Sequence, residues 1–248
     1  MKVLLSCDEN PFYYDFWPSV RKMWKEHIGI EPKLIFINKH KETKNFKDDV
    51  LHIKQLPDFP VHLQAQMARI FFTQRFSDDI CLVSDIDMFP ISKSFFNTEK
   101  IINACNAETF FHLNPERREF GQFPLCYYCG YGSLYSKLIG DISWQQFLTN
   151  IVNMNFNTDL MGFNLPNHLQ GKNLWFSDEL FMFSSLQKTK TKIAINNELI
   201  GPHRRIDREA ITNINYLSLA SQDIVDIHLP RPYKDFERFI DNILFTFV

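Results

Sequence analysis

Residues Cys81-Leu82-Val83-Ser84-Asp85-Ile86-Asp87-Met88-Phe89-Pro90 constrain this chain more than any other stretch. Ile80–Val83 is a short apolar run with β-branched residues, the pattern of a strand buried on both faces. It ends in two carboxylates separated by a single residue. Ligands of open α/β sheets bind beyond the carboxyl ends of the strands. Two carboxylates there repel each other and resist desolvation unless a cation joins them. A hard divalent ion, Mn²⁺ or Mg²⁺, would use one or two such carboxylates and complete its shell with phosphate oxygens and water. Asp85 and Asp87 are therefore candidate metal ligands, with solvated turn residues as the plain alternative.

The surrounding pattern supports a nucleotide-binding half-sheet. Val3–Ser6 reads as a strand running into Ser6-Cys7-Asp8. The spacing from Phe12 to Ile28 is helical, stopped by Gly29, with Pro18 placing the true start near Trp17–Ser19. Lys33–Asn38 and Val50–Ile53 read as strands and Val61–Phe76 as the clearest helix. The first ninety or so residues thus run β-α-β-β-α-β, ending at Asp85 and Asp87. Neither a Gly-x-Gly-x-x-Gly turn nor a Walker lysine loop is present, so dinucleotide and P-loop binding are not expected.

Beyond residue 91 the pattern loosens. Thr109–Leu113, Pro124–Tyr128, Ile193–Ile195 and Ile224–His228 read as strands. Trp144–Phe156 and the region from Phe236 to Phe247 have helical spacing. Cys129-Gly-Tyr-Gly-Ser133 reads as a tight turn, open to close approach by a ligand or serving only to join strand and helix. Asn157–Asn173 reads as a long loop, a candidate lid on the acceptor side. Ser177 is placed as the N-cap of a helix with Asp178 and Glu179 in its first turn.

Composition narrows the function classes. A net charge of −2 gives no general affinity for polyanions, so nucleic acid is not an expected partner. No apolar run approaches the ~18 residues of a membrane-spanning helix. The apolar N-terminal run is too short for a signal peptide, and the expected location is cytoplasmic. Five cysteines, an odd number, read as buried thiols in a reducing compartment. Cys126-Tyr-Tyr-Cys129 lacks a second pair and reads as part of an aromatic strand rather than half a zinc site. Phe is abundant, 25 of 248 residues, and Phe95-Phe96 and Phe245-Thr246-Phe247 are candidates to reach the surface.

With these residues in place, the chain resembles the GT-A nucleotide-sugar glycosyltransferases. Four segments carry the resemblance: Gln66–Arg69, Ser84–Pro90, Trp175-Phe-Ser-Asp178-Glu179-Leu180, and Ile227-His228-Leu-Pro-Arg231-Pro232-Tyr233. The short chain is similar to glycosyltransferases of large algal DNA viruses, which would place it in host cytoplasm. The final segment is distantly similar to the metal-binding His segment of glycogenin-like enzymes, although Leu229-Pro230 replaces the usual aromatic and Gly.

The resemblance implies one GT-A type domain over residues 1–248. A Rossmann-like nucleotide-binding half would cover about 1–90 and an acceptor half with a C-terminal helix about 91–248, around a mostly parallel sheet with helices on both faces. It implies transfer of a sugar from a nucleoside-diphosphate sugar, UDP-sugar favoured, to a hydroxyl on a glycan or glycoprotein. Ser6, Cys7, Asp8, Arg69, Ser84, Asp85 and Asp87 would hold the donor. Asp85, Asp87 and His228 would hold Mn²⁺ or Mg²⁺, with His203 the rival to His228 and Arg204 and Arg205 alternative diphosphate partners. Asp178 is the first candidate for the catalytic carboxylate, by an inverting route, and Glu179 the second. Competing readings are a nucleotide-sugar-binding protein without turnover and a phosphatase of the haloacid-dehalogenase type. The second fits poorly, because its motif belongs on the first strand.

Overall fold

The computed structural model describes residues 1–113, 126–154, 174–189, 192–195, 204–213 and 224–248. Among them, seven strands form one sheet. In chain order these are β1 (Lys2–Asp8), β2 (Glu31–Asn38), β3 (Val50–Lys54), β4 (Ile80–Val83), β6 (Thr109–His112), β7 (Tyr128–Tyr131) and β8 (Lys192–Ile195), arranged β3-β2-β1-β4-β7-β6-β8. The pairs β1–β2, β1–β4, β2–β3 and β6–β8 are parallel. Only the two pairings made by β7 are antiparallel. The expected mostly parallel α/β sheet is what the chain forms.

Alternation along β1 explains why both faces are covered. Val3, Leu5 and Cys7 point to one face, where they meet Phe16, Val20, Met23 and Trp24. The first helical turns there are α1 (Pro11–Tyr14) and α2 (Trp17–Lys22), the latter passing into a π-helical turn, Met23–Ile28. Leu4 points to the other face, against Leu63, Met67 and Ile70 of α3 (Val61–Phe71). The sequence pattern ran this helix on to Phe76, but Phe72–Phe76 tightens into 3₁₀ geometry. The C-terminal helix Glu237–Phe247 buries Ile240 and Ile243 on the first face, where it packs against the turns Trp17–Lys22 and Met23–Ile28. Fully buried aliphatic side chains of this kind each cost about 2–5 kcal/mol when cut back to Ala.

Two expectations change. Cys129–Tyr131 is strand rather than turn, and Gly132 opens a helix, Gly132–Ile139. Its glycines serve packing: a Cβ on Gly132 would lie 2.2 Å from the Phe76 carbonyl oxygen, and one on Gly130 2.8 Å from the Phe110 ring. Phe95 and Phe96 are buried, whereas Phe245 is 92% exposed. All five cysteines are buried free thiols, as expected. The Asn157–Asn173 loop lies outside the described residues. No helix among the described residues is long and apolar enough to cross a membrane.

A second, three-stranded sheet positions the site. After Asp87 the chain enters β5 (Met88–Pro90), which pairs antiparallel with β10 (Asp226–His228). β9 (Arg205–Ile206) lies parallel on the other side of β10. The register sets His228 opposite Met88, and the Leu229 N–H donates to the Asp87 carbonyl at 2.8 Å.

Candidate active site

Strand order reverses direction between β1 and β4. Their carboxyl ends therefore open a crevice, the usual ligand position in such sheets. A cleft of about 370 Å³ lies there. Its walls come from Ser6–Asp8, Asn10 and Tyr13 after β1, His62–Arg69 on α3, Asp85–Asp87 after β4, and Phe176, Asp178 and Glu179 around the start of the helix Ser177–Thr189. Arg208, His228 and Arg231 of the small sheet close it. Five carboxylates face three guanidiniums among these residues, an excess of two negative charges that one divalent cation would balance.

The cleft holds two carboxylate clusters. In the first, Arg69 is buried on α3. Its Nη1 donates to the Ser84 carbonyl at 2.9 Å and to Asp85 Oδ1, and its Nη2 donates to Asp178 Oδ2 at 2.8 Å. Asp178 Oδ1 accepts the Glu179 N–H at 2.9 Å, so both oxygens of Asp178 are committed. Burial works to raise the Asp85 carboxyl, but the charge and hydrogen bond of Arg69, with His228 and Arg205 behind, bring it down to about 2. Burial dominates at Asp178 and holds it above the usual carboxylate range, with Arg69 only partly offsetting it. One guanidinium thus joins the second of the four sequence segments, the motif after β4, to the third, the acidic helix start.

In the second cluster, three basic groups surround Asp87. Arg208 Nη2 donates to Asp87 Oδ2 at 3.2 Å and to His228 Nε2, while Arg231 Nε lies 3.5 Å from Asp87 Oδ2. His228 Nε2 is itself 3.5 Å from Asp87 Oδ2, and its Nδ1 is 3.5 Å from Asp207 Oδ1. Arginine has no acceptor, so Nε2 must accept and the imidazole proton belongs on Nδ1, toward Asp207. That is the tautomer a metal ligand uses, with a carboxylate behind it. Arg231 is held from the side, donating to the Tyr13 hydroxyl with its guanidinium 4.8 Å from the ring centroid. Burial, with Arg231 nearby, works to hold Arg208 below the usual guanidinium range against the pull of Asp87.

The donor set fits a divalent ion in part. Asp87 Oδ2 and His228 Nε2 lie 3.5 Å apart, wider than the ~3 Å between adjacent ligands of an octahedral cation with bonds of about 2.1 Å, so a small closing shift would bring both onto one ion. Carboxylate with imidazole suits Mn²⁺. Among the described residues no three His, Cys, Asp or Glu side chains are gathered into a ready-made metal cluster. Asp85 is drawn toward Arg69 instead of joining Asp87.

The remaining predicted residues are placed as follows. Asp8 ends β1 at the cleft and accepts the Asn10 N–H at 3.0 Å, while the Asn10 side chain caps α1. Ser6 lines the cleft but donates its hydroxyl to the Ala65 carbonyl, tying β1 to α3. Cys7 lines it too, and burial, with Asp8 beside it, pushes its thiol well up, which disfavours the thiolate form. Ser84 is fully buried beneath the cleft and continues the β1–β4 ladder through Leu4. Arg205 turns away to grip buried Asp226 at 2.8 and 3.0 Å, and Arg204 is exposed and outside the lining. His203 lies outside the described residues.

Sequence reasoning offered Arg204 and Arg205 as diphosphate partners and gave no role to Arg208, which lies in the same polar stretch, to Arg231 or to Tyr13. The signal available was position: Arg208 follows β9 and Arg231 follows β10, two adjacent parallel strands whose ends open on one side.

No protein-family model and no curated protein sequence matches the chain. Among solved structures it is similar to a Drosophila β-1,4-galactosyltransferase 7 variant in complex with manganese, UDP-Gal and xylobiose. The match covers 95% of this chain and 72% of that one, at 11% identity and a TM-score of 0.43. A likeness this loose speaks to neither substrate nor mechanism of this chain.

Proposed function

We propose that this chain is a metal-dependent glycosyltransferase of the GT-A type, moving a sugar from a nucleoside-diphosphate sugar, UDP-sugar favoured, to a hydroxyl of a glycan or glycoprotein. The observation that carries this reading is the convergence of Asp87, His228, Arg208 and Arg231 at the switch point between β1 and β4. Carboxylate and imidazole to hold a cation, beside two guanidiniums to hold an anion, suit a diphosphate leaving group.

Asp8 and the end of β1 would bind base and ribose. A divalent cation held by Asp87 and His228, with Asp85 close by, would supply Lewis-acid neutralisation of the diphosphate as it leaves. Arg231, steadied by Tyr13, would stabilise the same charge through hydrogen bonds. The anomeric carbon–oxygen bond breaks with its electron pair going to the diphosphate, and the acceptor oxygen bonds to the anomeric carbon. Its proton goes to a carboxylate, for which Glu179 is the better candidate. Asp178 would need to give up a guanidinium and a backbone N–H to act. Asp178 is accordingly a positioning residue that holds Arg69, and through it Asp85.

The test is release of nucleoside diphosphate from a panel of nucleotide sugars, with Mn²⁺ and with excess EDTA. Release with Mn²⁺ that is lost in EDTA and in Asp87→Ala is expected. Release that persists in EDTA would remove the metal from the mechanism, and no release from any donor would leave a binding protein. Anomeric NMR of the product would decide between inversion, expected here, and retention.

A further inference from the structure

His228 Nε2 has a single lone pair, and in this structure Arg208 occupies it. A metal ion bound to the same nitrogen needs the same lone pair. We infer that Arg208 is a displaceable internal cation, which occupies the ligand position between Asp87 and His228 until a divalent ion expels it. This rests on the metal site proposed above and adds the means by which metal affinity is held down until donor arrives.

Three features single out Arg208. Its Nη2 contacts both Asp87 Oδ2, at 3.2 Å, and His228 Nε2, while those two atoms are 3.5 Å apart. One N–H-bearing atom therefore stands where two acceptors converge, which is the position a cation would take. Arg231, the other guanidinium near Asp87, is tethered to the Tyr13 hydroxyl and ring and does not reach His228 within hydrogen-bond distance. Arg208 also begins a short 3₁₀ segment, Arg208–Asn213, directly after β9, and its side chain is only partly buried. It can leave without unpacking the core, whereas Arg69 cannot.

The displaced guanidinium would need a new anion. The diphosphate of a donor bound at the end of β1 would supply one. Metal and nucleotide would then favour each other's binding through Arg208, and the coupling must be the same in both directions. If the arginine fills the position about nine-tenths of the time, apparent metal affinity is about tenfold below the intrinsic value.

The experiment is calorimetric titration of Mn²⁺ alone into the full chain, then again in saturating UDP. Arg208→Gln should bind Mn²⁺ about tenfold more tightly than wild type without UDP. The tightening that UDP gives should be smaller in that variant than in wild type. Arg208→Lys keeps the charge on a less extended side chain and should fall between them, serving also if Arg208→Gln does not fold. Arg204→Gln removes an exposed charge outside the cleft and should leave the affinity at the wild-type value. Equal or weaker Mn²⁺ binding by Arg208→Gln would overturn the inference, as would equal tightening by Arg204→Gln. Asp87→Asn separates the two failures. If it abolishes binding while Arg208→Gln changes nothing, only the displaceable arginine is wrong. If it leaves Mn²⁺ binding untouched, the metal lies elsewhere and the site reading falls with it.

Discussion

Two arginines in the cleft, Arg69 and Arg208, each bridge an aspartate to a second group, yet their surroundings differ. Arg69 has a side chain 10% exposed, comes from the middle of a packed helix, and holds Asp85, Asp178 and the Ser84 carbonyl together. Arg208 comes from a short segment at a strand end, and its side chain is 20% exposed. Burial decides what each can do. Removing one partner of a buried pair leaves an uncompensated charge, so such a pair behaves as framework. A pair open to water can exchange partners, because solvent covers the groups while they are apart.

The largest effect that would sharpen this contrast lies in catalysis. Glu179→Gln should lower kcat by about 10²–10⁴, the cost of losing a general base, with donor affinity little changed. Asp178→Asn should act mainly on stability and lose less activity. Steady-state kinetics and donor binding on both variants check this, and the reverse order would return the base to Asp178.

Stability comes next. Arg69→Met should cost about 3–5 kcal/mol, as expected when a buried pair loses one partner. Arg208→Gln should cost less, because Arg208 is the more exposed arginine and His228 and Arg231 stay beside buried Asp87. Urea unfolding of the two variants side by side would measure it, and equal losses would erase the distinction between framework and exchangeable arginine.

A third outcome concerns metal demand. His228→Ala should raise the Mn²⁺ concentration for half-maximal activity at least about tenfold, while His203→Ala stays near wild type. A larger shift for His203→Ala would move the ligand.

The smallest effect is in pH dependence. Asp85 is held at about 2 when folded, below the unfolded value near ~3.9. The stability it contributes is present above about pH 4 and lost as pH falls toward about 2. Asp178 is shifted upward by burial, so its contribution runs the other way and declines as pH rises through its raised value. Asp178→Asn should therefore remove a stability gain that wild type shows as pH falls toward about 4, and Arg69→Met should make the loss below about pH 4 shallower than in wild type. Unfolding midpoints across that range would check the order.

Local signals were enough for the first half of the fold. The apolar runs of Val3–Ser6, Lys33–Asn38 and Ile80–Val83 form strands because β-branched and aliphatic residues fill both sides of a covered sheet, and each lies where the pattern put it. The two acids after the fourth strand, and the acidic pair at the later helix start, were legible for the same reason: a motif follows an element end. In the second half Thr109–Leu113, Ile193–Ile195 and Ile224–His228 read as strands and fall on β6, β8 and β10, but the two-residue β9 is too short for a period to show, and nothing local reports which strands pair.

The sequence by itself therefore determined the parallel half-sheet, the buried thiols and the position of Asp85 and Asp87 at a strand's end. Which partners those acids take was decided only in three dimensions. Arg69 and Asp178 are 109 residues apart, and Asp87 and Arg208 are 121. Nothing in the spacing of either pair along the chain reports their contact. The antiparallel register of β5 with β10, and the parallel placement of β9 beside it, set His228 and Arg208 against Asp87. The same register turns Arg205 inward onto Asp226. Charge alone gave no way to tell Arg204, Arg205 and Arg208 apart, since identical side chains acquire different roles through burial and direction, and both are properties of the packed sheet.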